Sequence, residues 1–153
     1  MPHAKNIFSK KETINLICRI NKLNKHSHRL WGKMKVSQML AHCNVAYEKI
    51  YSEKYPRPNL LKRILLKFFV RKAVVGKKPY PKNGKTAPEF IIEGERDFDL
   101  EKQLLIDYII KTQELGENYF NNKASHSFGK LTKKEWNIML YKHLNHHLSQ
   151  FGV

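Results

Sequence analysis

Cysteine is nearly absent from this chain, and its two cysteines, Cys18 and Cys43, stand far apart. That scarcity excludes a disulfide framework and a thiolate metal site, and both residues read as reduced, buried thiols. Acidic residues are also scarce: 13 Asp and Glu face 29 Lys and Arg, for a formal net charge of +16. No apolar run approaches the ~20 residues that a membrane-crossing helix needs. The opening MPHAKNIFSKKE has no apolar signal core, which points to the cytoplasm. With only 7 glycines and 6 prolines in 153 residues, one ordered, soluble domain is expected. No Gly-rich phosphate loop, Ser-His-Asp arrangement, CxxC motif, internal repeat or convincingly alternating strand occurs.

What is present is helical periodicity. Ser9 and Glu12 read as a capping box opening a helix to about residue 23, with Ile14, Ile17, Cys18 and Ile20 as its buried stripe. A polar loop holding His26 and His28 follows, and these two read as solvated. Ser37 is positioned to cap a second helix over about 36–55, with Leu40, Cys43, Tyr47 and Ile50 or Tyr51 inward and His42 bordering that face. Pro56 and Pro58 end it. A third long helix is predicted over 97–120, burying Leu100, Leu104, Leu105, Tyr108, Ile109 and Leu115.

Charge is distributed unevenly. Nine basic and no acidic residues lie between Asn59 and Pro88, whereas nine acidic and three basic lie between Glu89 and Glu117. Leu60 to Val75 reads as a basic amphipathic helix, with Lys62, Arg63, Lys67, Arg71 and Lys72 opposite Leu61, Ile64, Leu65, Phe68 and Phe69. Its apolar side is expected to pack on the body of the protein, and its basic side to lie partly against the acidic start of the third helix. Nucleic-acid binding should then be weak and non-specific.

The last stretch, LTKKEWNIMLYKHLNHHLSQFGV, carries the most chemistry. Thr132 and Glu135 form a capping box for a helix over about 132–150. Trp136, Leu140, His143, His147 and Gln150 recur on one face, which the tryptophan and leucine turn inward. Imidazoles four residues apart can grip a single metal ion, and three neutral ones leave positions open on it. His146 points about a hundred degrees away. It can line the edge of the site or meet a neighbouring chain, which keeps a homodimer open. His42 on another helix is either a third ligand or a hydrogen-bonded core residue.

Three stretches, LWGKMKVSQMLAHC (30–43), HSFGKLTKKEW (126–136) and YKHLNHHLSQFG (141–152), resemble the DinB-like superfamily, in a branch of unknown function. The resemblance implies an all-α four-helix bundle with a long crossover, here carrying the extra basic helix. It implies a divalent metal (Zn, Ni, Fe or Mn) held by His42, His143 and His147. Gln150, His146 and Trp31 are then expected around the pocket, and His126, in the loop before the last helix, is a candidate general acid or base at its mouth.

Relatives include metal-dependent hydrolases and thiol-dependent transferases. A small electrophilic substrate, and a low-molecular-weight thiol as cofactor, follow from that resemblance. Many relatives have Arg-Gly-Gln after the paired histidines, where this chain has Leu148, Ser149 and Gln150, so an anion contact is missing. The alternative function is a non-catalytic module whose basic crossover, Lys62 to Lys85, binds nucleic acid or a membrane surface.

Overall fold

Each long helix begins where a side chain satisfies its free backbone N–H groups. In the computed structural model, which describes residues 5–153, the chain forms six α-helices and one short hairpin. The first four residues of the stretch read for a targeting signal lie outside the described residues. Helix α1 (Lys10–Asn21) starts at Ser9, whose hydroxyl accepts from the Glu12 backbone N–H. The expected box is only half formed, because the Ser9 N–H donates to the Asn6 carbonyl instead.

Helix α2 (Val36–Tyr51) begins after Lys35, not Ser37, which lies buried in the first turn. The Gln38 side chain accepts from the Lys35 N–H at 2.9 Å and sets that start. The helix ends four residues before the expected Tyr55. Both the N–H and the hydroxyl of Ser52 bond the Glu48 carbonyl, and Ser52 is extended, so the chain leaves the helix ahead of the prolines.

The crossover helix is broken in two, α3 (Leu60–Phe69) and α4 (Arg71–Val75), at Val70. Its fold-back onto the body fails for α3: none of its residues is buried. The anchor is α4, which packs on α6 (Lys133–Gln150). There the Lys142 ammonium donates to the carbonyls of Ala73, Gly76 and Lys78, and Arg71 pairs with Glu135 at 2.7 Å. The acidic start of the next long helix does not neutralise the crossover as expected: its Asp99 pairs with Lys25, and Arg71 turns to the last helix.

Helix α5 (Phe98–Phe120) is capped by Asp97, which accepts from Asp99 and Leu100 N–H. It breaks at Gly116, whose backbone (φ 73°, ψ 168°) only glycine adopts without strain. Strands β1 (Lys123–Ser125) and β2 (Gly129–Leu131) then pair antiparallel, Ala124 opposite Lys130. Three residues per strand are too few to show alternation, so the sequence read a loop here. Thr132 and Glu135 form the full reciprocal capping box of α6.

The core lies between α2 and α5, with α1 on α5 and α6 closing over α2 and α5. Leu16, Ile20, Leu40, Tyr47, Leu105, Trp136 and Leu140 fill it. Three expected core positions are exposed: Ile14, Leu100 and Leu115. Cys18 is exposed too, leaving Cys43 as the buried thiol. Helical geometry explains α1: its buried line is Thr13, Leu16 and Ile20, and Ile14 and Cys18 fall roughly 100° and 140° away from Thr13. Among the described residues no helix is long and apolar enough to cross a membrane.

Candidate metal centre

The register that buries Trp136 and Leu140 carries on through α6 and turns His143 and His147 toward α2, where His42 sits in the first half of the helix. The three imidazoles converge. Ring centroids are 5.0 Å apart for His42 and His143, 4.4 Å for His42 and His147, and 4.9 Å for His143 and His147. One ligand nitrogen from each lies within 4.8 Å of the others. His42 and His147 are only 4% and 7% exposed, whereas His143 is half-buried.

Hydrogen bonds determine which nitrogen each ring offers. A carbonyl can only accept, so His42 Nδ1–H donates to the Phe90 carbonyl at 2.8 Å and its Nε2 is a bare lone pair. His147 Nδ1 lies 2.9 Å from Gln150 Oε1. The Gln150 amide nitrogen donates to the Trp31 carbonyl at 2.9 Å, which orients the amide and makes its oxygen the acceptor from His147. His147 thus also offers Nε2. His143 Nε2 sits 3.0 Å from His42 Nε2, and its Nδ1 has no hydrogen-bond partner among the described residues. A divalent ion at about 2.0–2.1 Å from its imidazoles sets their nitrogens roughly 2.9–3.4 Å apart, so the His42–His143 edge already has that length.

Electrostatics keep the ligands neutral. Burial holds His143 well below the ordinary imidazole range, and the charges its histidine neighbours would carry push the same way. Burial, then repulsion from His42, lowers His147 to about 3 against the hydrogen bond to Gln150. Burial also lowers His42, which the Phe90 carbonyl partly opposes. Neutral imidazoles are the form that binds metal. The donor set therefore fits one divalent ion, with His42, His143 and His147 as its holders.

Sequence reasoning missed Phe90. The Pro88–Phe90 turn of 3₁₀ helix brings back the end of the crossover, supplying the carbonyl to His42 and a ring 5.3 Å from His42 and 5.8 Å from His143. Lys49 secures the turn by pairing with Glu89 at 2.7 Å and covering the Phe90 ring at 4.6 Å. The one local signal was Pro88 opening a helical turn. Gly32 was also missed: a Cβ there would meet Gln150 Nε2 at 2.4 Å, and its φ is +82°.

The surrounding candidates divide. His146 is not among the converging nitrogens. Its ring packs edge-on against Trp31, Tyr80 and His147. Beside it opens a cleft of about 490 Å³ walled by Trp31, Tyr80 and Tyr141, with Lys5, Lys77, Lys82 and Lys142 and no carboxylate. His126 is engaged elsewhere: Nε2 meets the Tyr55 carbonyl at 3.2 Å and Nδ1 the Ser127 hydroxyl at 2.8 Å. Of the basic patch, Arg63 is half-buried and Arg71 is paired, while Lys62, Lys67 and Lys72 are exposed. His26 and His28 line a separate cleft of about 600 Å³ between their loop and the start of α5, apart from the three histidines.

A family described as Protein of unknown function (DUF1569) matches residues 9–152. The chain belongs to this family. The matched span includes all three converging histidines, Phe90, Gln150 and Gly32. No curated protein and no solved structure matches the chain.

Proposed function

We propose that this DUF1569 chain is a metal-dependent enzyme with the four-helix-bundle architecture of the DinB-like superfamily, acting on a small electrophilic substrate by hydrolysis or group transfer. The observation that carries the proposal is the convergence of three imidazole nitrogens within 4.8 Å, in which the His42 Nε2 lone pair lies 3.0 Å from His143 Nε2, an N–H···N hydrogen bond with the length of a metal-ligand edge. His42, His143 and His147 would hold one divalent ion (Zn, Ni, Fe or Mn). When bound, that ion supplies Lewis acidity that activates a water or thiol at neutral pH. The chain's residues do the positioning: Phe90 and Gln150 fix the tautomers of His42 and His147. Substrate is placed in the cleft beside His146, whose ring links Trp31 and Tyr80 to His147. Its lysines favour a substrate carrying negative charge.

The test is metal analysis of protein purified without a nickel column. About one divalent ion per chain is expected from a converging three-imidazole set. His143→Ala should lose it and keep the helical circular-dichroism spectrum, since the apolar core lies elsewhere. Wild-type protein that neither carries nor takes up a divalent ion would sink the proposal. Activity found in a substrate screen should disappear with chelator and return with metal.

A further inference from the structure

Helix α3 leaves a wide apolar face in water. At about 100° per residue, Leu60, Ile64, Phe68, Leu61, Leu65 and Phe69 fill one contiguous half of its circumference. All six are exposed, Phe68 by 73% and Phe69 by 78%. Lys62 and Lys67 border this half on either side, and Arg63 and Leu66 are the half-buried residues behind it. Among the described residues none of Lys62, Lys67 and Lys72 forms an ion pair. The helix is held through α4, which Lys142 and Arg71 fasten to α6.

We propose that α3 docks this protein on an anionic lipid surface, with its apolar face in the headgroup and acyl boundary and its flanking lysines at the phosphates. An exposed apolar face of this breadth marks an interaction site. An apolar centre with basic margins is the pattern of a helix lying in the plane of a membrane interface. Ten residues span about 15 Å, half the hydrocarbon thickness, so the helix lies on the surface and does not cross it.

Charge chooses among the occupants. A second copy would bring two basic flanks together with no acidic residue between Asn59 and Pro88 to answer them. A nucleic acid would satisfy the lysines and leave six apolar side chains wet. An anionic bilayer answers both at once. This docking requires no ion at the metal centre.

The experiment is flotation of the full chain with phosphatidylcholine vesicles, with and without phosphatidylglycerol. Binding to the anionic vesicles is expected to be about thirtyfold stronger, from the two lysines that flank the face, and to weaken with added salt. Phe68→Ser with Phe69→Ser should abolish flotation, and Lys62→Glu with Lys67→Glu should remove the preference for phosphatidylglycerol. Both pairs touch exposed side chains, and an unchanged melting temperature confirms the fold. No flotation with anionic vesicles overturns the proposal, as does flotation unaffected by either variant, or a wild-type dimer that Phe68→Ser with Phe69→Ser makes monomeric. Loss of nucleic-acid binding in the lysine variant without any flotation does so as well.

Discussion

Gln150 Oε1 accepts the Nδ1–H of His147 at 2.9 Å from three residues further along α6, while its amide nitrogen donates to the Trp31 carbonyl. Reversing the amide would set its oxygen against the Trp31 carbonyl, which can only accept. The Trp31 contact therefore dictates which nitrogen His147 presents to the centre. Residues at the two ends of the chain cooperate on one tautomer.

Gln150→Ala is expected to lower metal affinity about 10–100-fold, the usual cost of removing the partner that orients a ligating imidazole. At saturating metal the stoichiometry should be unchanged, which separates this role from ligation. Competition with a chelator of known affinity measures it. Full retention of affinity would mean that the hydrogen bond is incidental.

Gly32→Ala should act through the same amide. A methyl at position 32 collides with Gln150 Nε2 and sits on a left-handed backbone, which costs about 1–2 kcal/mol of stability. Metal affinity should fall in the same direction as in Gln150→Ala. Because the two changes share one pathway, the double variant should lose little more affinity than Gln150→Ala alone. Additive losses would show that Gly32 acts on the centre by a route that does not pass through Gln150.

Acid should destabilise the metal-free protein before its carboxylates titrate. The folded-state pKa values of His42, His143 and His147 all lie below the ordinary imidazole value of 6.5, that of His147 at about 3. On acidification the unfolded chain takes up these protons first. The stability held by neutral histidines is therefore present above about pH 6.5 and is lost progressively as pH falls toward about 3. Urea melts at pH 7 and pH 5 should show a lower midpoint at pH 5. His147→Leu should flatten that difference, and an equally steep dependence in the variant would rule His147 out as a source.

Much of the centre was legible in the chain because its determinants are local. The i, i+4 spacing of His143 and His147 and the Thr132–Glu135 box fix the register of α6 without help from any other element. Gln150 lies on the same face for the same reason. His42 could be placed only at the border of a buried face, since its helix carries no local signal choosing between a ligand and a core residue. His126 read as a candidate for the pocket mouth, and the structure ties both its ring nitrogens to Ser127 and Tyr55.

The sequence by itself determined roughly where the long helices lie, the inward face of α6 and its paired imidazoles, because helical periodicity and capping are properties of neighbouring residues. Tertiary structure alone decided that His42 meets them, that Phe90 returns from the crossover to fix its tautomer, and that α3 hangs in water instead of packing. Those outcomes depend on contacts across 48 residues for His42 and Phe90 and 101 for His42 and His143. Periodicity does not reach that far. It shows that α3 has an apolar face, but whether the body offers a surface to cover that face depends on where α4 and α6 fasten the crossover.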